Sequence, residues 1–436
     1  MATVAPTLFS WQDVEASSDI LRLQRVLAAL PDKKLLATLQ ARRKGRRDRY
    51  PLVALWHSLI AALLFNLQGP AALIRELKRN GELRHVCGFD PLLGEQAIPP
   101  PWVYSRFFTK LVAVQPLLEE IFHALIERLA KQLPDFGRRL AVDAKALHAR
   151  HPSQPDADLG RKTEPTPEGD ERIVFSWFGF KLHLLCDTTH ELPIAFDLTP
   201  ASANDSPHLL PLVEDTRERH PRLLGRAEEL AADRAYDDGQ DKRALYEDFA
   251  ILPLLPARDC AQGQNAPLDP RHHDTVYVSP TGEVLCKVRP FERNPQAAYC
   301  PMQYQGFEKD RNTLKFRCPA AAFGVECHNQ QACRSAAKDQ EFGRVVRLPL
   351  DTDRRLHLPL YQHAQAFRDR YKRRTAVERL FFRLDHFYGF EIPLYGDLRR
   401  VRMQVTLGLA AMLATALAWI RQGQADKIRC KFQAAA

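Results

Sequence analysis

From residue 140 to residue 257 the hydrophobic pattern switches repeatedly between the two-residue period of a strand and the longer period of a helix. That succession leaves few architectures open. LAVDAKAL reads as a buried strand, and IVFSWFGFKLHLLCD and LPIAFDLTPA as two longer strands joined by a tight TTHE turn. Ser206-Pro207 offers a cap and a first-turn proline, which predicts a helix over SPHLLPLVEDTRERH. AEELAADRAY then predicts a strand, DDGQDKRALYEDF a helix, and AILPLLPA a last strand. An antiparallel hairpin feeding parallel crossovers makes one mixed sheet with flanking helices, an α+β arrangement.

The flanks differ from this middle. Residues 20–80 carry apolar side chains at three- and four-residue spacing, with Pro51 placed to open a helix and Gly69-Pro70 to break one. A further helix is expected over 105–133, after Pro99-Pro100-Pro101, so the first 135 residues read as an all-helical unit. Within it Arg42, Arg43, Lys44, Arg46 and Arg47 form a basic cluster on a linker, read equally as a phosphate-contacting arm and as a solvated loop. From 258 to 350 the regularity fails, and a segment rich in Pro, Gln, Asn and Cys reads as an insertion with its own local order. Residues 351–436 resume a helical pattern. The apolar run at 405–420 is shorter than the roughly 20 residues a bilayer helix needs and is flanked by Arg399, Arg400, Arg402 and Arg421, so it reads as a core helix and no membrane is expected.

Charge points to a partner. The chain carries 62 Lys and Arg against 53 Asp and Glu, a net charge of +9. Residues 361–436 hold 14 basic and 6 acidic side chains, so +8 of the excess lies there. A face of that kind suits a polyanion, and nucleic acid is the commonest one. With 45% hydrophobic and 26% charged residues the composition excludes a fibrous or mainly disordered chain. The first residues lack the basic-then-apolar pattern of a secretory signal, so a cytoplasmic location is expected. In that reducing compartment nine cysteines read as thiols or metal ligands rather than disulfides.

Three acids stand out. Asp143 sits inside the apolar strand LAVDAK, where an ionised carboxylate is costly unless paired or metal-bound; its bland reading is a cap on a neighbouring amide. Asp233 ends a strand whose following turn holds Asp237 and Asp238, which reads as general local acidity. Glu378 lies four residues after Arg374, the spacing of an ordinary helical ion pair. Together the three fit phosphoryl transfer assisted by two divalent ions, which needs carboxylates converging from separate elements.

Four stretches resemble a known family. LAVDAKALHA, GFKLHLLCDTTHELPIAFDLTPASANDS, ELAADRAYDD and YKRRTAVERLFFRLDHF are similar to the first-Asp strand, the following hairpin with its Asn-Asp turn, the second-Asp strand and the final catalytic helix of DDE transposases of the bacterial insertion-sequence type. The resemblance covers most of the chain and implies a ribonuclease-H-like catalytic core, begun by residues 136–257 and completed by 351–436, with a helical DNA-binding domain over 1–135. It implies that Asp143, Asp233 and Glu378 are catalytic and hold two Mg²⁺ or Mn²⁺ ions, and that Tyr371 and Arg374, on one helical face with Glu378, contact the DNA end or order the site. The partner implied is double-stranded DNA, as element terminal repeats and target; a homodimer on that DNA is expected because two ends must be brought together, and the expected location is cytoplasmic, associated with the nucleoid. One position departs: the family signature places Lys or Arg seven residues after the Glu, and here Asp385 stands there, with Arg379 or Arg383 as substitutes. Rival readings are a transposase-derived DNA-binding protein without catalysis and a nuclease with the same core that cuts without joining.

The insertion's cysteines form a separate question. Cys300, Cys318, Cys327 and Cys333, with Cys286 and His328 nearby, read either as a structural Zn²⁺ site or as reduced thiols, and no CxxC pair occurs among them.

Overall fold

The computed structural model describes residues 18–43, 50–165, 171–258, 264–268, 276–287, 299–324, 343–391 and 396–430. The amino-terminal part is helical: α1 (Ser18–Ala29), α2 (Lys33–Ala41), α3 (Leu52–Leu64), α4 (Gly69–Arg79), α5 (Gly81–Cys87), α6 (Pro101–Val112) and α7 (Gln115–Gln132). Pro51 caps α3, whose apolar residues are buried nearly all round. Gly69-Pro70 opens α4 as well as interrupting the chain after α3, because proline costs no hydrogen bond in a first turn. The single helix expected over 105–133 is two, α6 and α7, with Pro116 in the first turn of the second.

The sheet follows. Strands β1 (Arg139–His148), β2 (Asp158–Pro165), β3 (Glu171–Asp187) and β4 (Leu192–Pro200) lead through α8 (Leu209–Arg219) and α9 (Pro221–Leu224) to β5 (Glu229–Ala231), then through α10 (Gly239–Glu247) to β6 (Leu252–Leu254). β3 runs antiparallel to β1, β2 and β4, while β5 runs parallel to β1 and β6 parallel to β5. This is the ribonuclease-H-like mixed sheet that the resemblance implies. β2 escaped the sequence reading because DLGRKTEP has no apolar alternation, and its described residues other than Gly160 are not buried. Gly179 lets β3 and β1 approach: at φ +155° a Cβ there would meet the Leu147 carbonyl oxygen at 2.1 Å. Ser206-Pro207 forms a 3₁₀ turn, and α8 starts only at Leu209.

Residues 258–350 follow, many of them outside the described residues. The described ones form β7 (Ala266–Pro267), β8 (Val276–Val278), β9 (Val284–Lys287), β10 (Tyr299–Pro301), β11 (Gln303–Glu308), β12 (Thr313–Arg317), α11 (Pro319–Phe323) and β13 (Val345–Pro349). These make one four-stranded and one three-stranded antiparallel sheet, which share a small core of Val276, Val284, Met302, Leu314, Phe316 and Tyr361.

Among the described residues three α-helices follow: α12 (Gln365–Tyr371), α13 (Thr375–Tyr388) and α14 (Leu398–Arg421). Asp397 caps α14 by accepting from the Arg400 N–H. α14 is 24 residues long, longer than its apolar run and apolar enough to cross a membrane, yet most of it is buried against α7, α1 and β4. One continuous core joins the amino-terminal helices, the sheet and α14.

Candidate active site

The site begins where the ladder between β1 and β5 stops. That parallel ladder ends at Ala141 opposite Ala231; Asp143 stands two residues on, in the middle of β1, and Asp233 two residues past the end of β5. Asp143 is half-buried, and its carboxyl is pushed up to about 7, first by burial and next by the charge of Asp233 beside it. One of its oxygens accepts the Ala144 N–H at 2.8 Å. An Asp233 oxygen accepts the Ala235 N–H at 2.8 Å and so caps the 3₁₀ turn Arg234–Tyr236.

The third acid arrives on a broken helix. Between α12 and α13 the residues Lys372–Arg374 form one 3₁₀ turn, and Glu378 lies in the first turn of α13, exposed. Arg374 joins it to the first acid: Nη1 donates to Asp143 Oδ2 at 3.0 Å and Nη2 to Glu378 Oε1 at 2.5 Å. The sequence spacing suggested only the second contact. Arg374 lies 5.9 Å from the Tyr371 ring centroid, and Tyr371 stacks on Phe367 at 5.8 Å. Tyr371, Arg374 and Glu378 thus meet through Arg374, across a 3₁₀ turn rather than along one unbroken helical face.

The donor chemistry fits a hard divalent ion in part. Asp143 and Asp233 are adjacent carboxylates whose mutual repulsion a cation would relieve. Glu378 meets them through Arg374, and among the described residues no three His, Cys, Asp or Glu side chains are close enough to share one ion.

The departure at Asp385 has a structural answer. Lys145, two residues beyond Asp143 on β1, reaches across to Asp385 with Nζ 2.6 Å from Oδ2, so the positive charge of that layer comes from the strand. Arg379 and Arg383 do not substitute for it. Both turn to the buried Glu191, Arg379 through Oε1 at 2.7 Å and Arg383 through the main-chain oxygen. Near Asp143 the Asn-Asp turn contributes Asp205, which pairs with Lys181 at 2.8 Å, while His183 stacks on His208 at 4.1 Å between ring centroids.

Sequence reasoning missed Asp237. The carboxylate read as general acidity is fully buried: it takes Lys242 Nζ at 2.6 Å, Arg355 Nη2 at 2.8 Å and the Arg258 N–H at 2.7 Å. The Arg258 guanidinium donates to the carbonyl oxygens of Arg234 and Ala235. Arg258 and Arg355 bracket the insertion, so both of its ends are clamped onto the turn that carries Asp233. Asp238 is different again, capping α10. A cluster DRAYDD directly after a strand was the available signal.

The remaining expectations divide. Arg42 ends α2, exposed, and Arg43 donates to the Tyr50 carbonyl oxygen; Lys44, Arg46 and Arg47 lie outside the described residues. Cys327 and Cys333 also lie outside them. Cys300 faces Cys286 across β10 and β9, whereas Cys318 stands in the other small sheet's segment, just before α11.

A ribonuclease-H-like sheet with one carboxylate inside β1 and a second just past the end of the parallel β5 fits the class of phosphoryl-transfer proteins. The family model described as the transposase DDE domain matches residues 134–414, and the chain belongs to that family. No curated protein matches it. Among solved structures, that of the piggyBac transposase synaptic complex with hairpin DNA aligns over 97% of this chain and 81% of that one, at 9% identity and a TM-score of 0.39, too loose a likeness to argue from.

Proposed function

We propose that the chain is a DNA transposase whose Asp143, Asp233 and Glu378 hold two Mg²⁺ or Mn²⁺ ions and serve two successive reactions in one site. The observation that carries this reading is the adjacency of Asp143 and Asp233, with the Tyr371–Arg374–Glu378 group laid over them. When bound, the ions activate the attacking oxygen and stabilise the leaving oxygen of an in-line displacement. The protein's own work is positional. Asp143 must lose its proton to act, and β1 and β5 hold it beside Asp233. Arg374 supplies positive charge beside the acids, where the scissile phosphate would lie.

In the first reaction water attacks phosphorus at the element's end, the P–O3′ bond breaks, and the leaving oxygen takes a proton to become a 3′-hydroxyl. In the second that hydroxyl attacks a target phosphodiester and displaces another 3′-oxygen. Each step exchanges one P–O bond for another, so a single site suffices. A homodimer would bring the two DNA ends together.

The test uses DNA carrying the sequences that flank the chain's own reading frame. Wild type should cut at the ends with Mg²⁺ and join a pre-cut end to target. Asp143→Asn, Asp233→Asn and Glu378→Gln should each lower cutting about a thousandfold or more while binding persists. Binding without cutting by wild type would make the chain a silent derivative; cutting without joining would make it a nuclease.

A further inference from the structure

Arg374 holds two of the three acids at once. Its guanidinium engages Asp143 Oδ2 and Glu378 Oε1, while the Ala144 N–H takes Asp143 Oδ1. A divalent ion shared by those carboxylates would bind the same oxygens, and the guanidinium already carries positive charge into the space between them. The two occupants compete directly.

The setting of Arg374 offers a way out of that competition. It belongs to a stretch with five basic residues in seven positions, Arg368 to Arg374. Four of these have other partners: Arg370 and Arg373 reach Glu229, Lys372 reaches Asp369, and Arg368 donates to the His363 carbonyl oxygen. Arg374 is the member that faces the acids. It sits on the single 3₁₀ turn between two α-helices, a place where a chain can swing with little loss of helical hydrogen bonding. Its forked donors suit a phosphodiester as well as a carboxylate.

Resting on the metal-site reading above, we propose that Arg374 is a positioning residue that couples DNA binding to metal binding: a DNA phosphate draws its guanidinium off Asp143 and Glu378, and the freed carboxylates take the divalent ion. Linkage makes the coupling reciprocal, so DNA tightens the metal and the metal tightens DNA. The chain would then assemble its cutting site only where DNA already lies.

Mn²⁺ affinity of the full chain, read at pH 8 from the paramagnetic resonance of the free ion, tests this without any turnover. The measurement is made alone and with a duplex of the flanking DNA shown to bind by mobility shift. Wild type should bind Mn²⁺ about tenfold tighter with the duplex. Arg374→Gln should bind it about tenfold tighter than wild type without DNA, and Arg374→Lys should also gain, since a point charge cannot bridge two carboxylates. Both variants are first checked for a wild-type thermal transition, and either one that keeps it carries the test. If the variant matches wild type without DNA, or the duplex leaves wild-type affinity unchanged, the coupling is wrong. Asp143→Asn separates the two claims: loss of Mn²⁺ binding there with no effect at Arg374 overturns only the coupling, whereas no loss there overturns the metal-site reading itself.

Discussion

Asp143 keeps its proton to an unusually high pH, and stability should record it. Its folded value of about 7 lies above the ordinary carboxyl range, so the folded chain binds this proton more tightly than the unfolded one. Below about pH 4 both states hold the proton and the group contributes nothing. As pH rises through 4 to 7 the unfolded chain gives up the proton first, and the folded state loses stability until the folded group has also ionised. Asp143→Asn removes that penalty. The variant should be more stable than wild type at pH 8 by about 2 kcal/mol in metal-free denaturant unfolding, with the difference closing toward pH 4. An unchanged or lowered stability at pH 8 would sink the assignment of a strained carboxyl at this position. The same residue explains why the site needs a counter-charge, which Arg374 now supplies at 3.0 Å.

At the level of the element, α13 is aimed by the contact behind it. The helix ends at Gly389, in the left-handed region at φ 76°, and the next residue, Phe390, turns back onto α14. It lies against Gly408, where a Cβ would stand 2.4 Å from a ring carbon. Glycine inside a helix ordinarily costs about 0.5–1 kcal/mol relative to alanine, so helix propensity alone favours substitution. Packing opposes it more strongly. Gly408→Ala should therefore destabilise the protein by about 1–2 kcal/mol, seen as a lower thermal midpoint, and adding Phe390→Ala should cost less than the two separate losses combined. Strict additivity of the two would show that they do not share this contact. The interest is functional, because a shifted α13 displaces Glu378, which lies at its other end.

For the whole molecule, the question is what can fold without what. The amino-terminal helices were expected to form a separate unit, yet their buried residues run without interruption into the sheet and α14, and α7 and α1 cover that long apolar helix. A fragment lacking residues 1–133 would expose that face. It should fail to reach a native state, with retained far-ultraviolet and lost near-ultraviolet circular dichroism, or precipitation. A cooperative melt with native near-ultraviolet signal from the fragment would show that the core is divisible at this point. The insertion contrasts with this, having a small core of its own and meeting the catalytic part through Arg258 and Arg355 at Asp237.

By itself the sequence determined what depends on near neighbours. The periods of LAVDAKAL, the β3–β4 hairpin and α13 show in the local order of apolar residues, because side-chain direction repeats every two residues in a strand and every three or four in a helix. The oddity of Asp143 shows in the same way, as a charge amid apolar neighbours; the spacing of Tyr371, Arg374 and Glu378 suggests one helical face, but the 3₁₀ turn at Lys372–Arg374 interrupts it. Only the tertiary structure decided the partners. Arg374 meets Asp143 across 231 residues, Lys145 meets Asp385 across 240, and Arg355 meets Asp237 across 118. No local period encodes such pairs. A charged side chain's environment is set by whichever distant element folds against it, and burial there turns an ordinary acid such as Asp237 into the anchor of the turn beside Asp233.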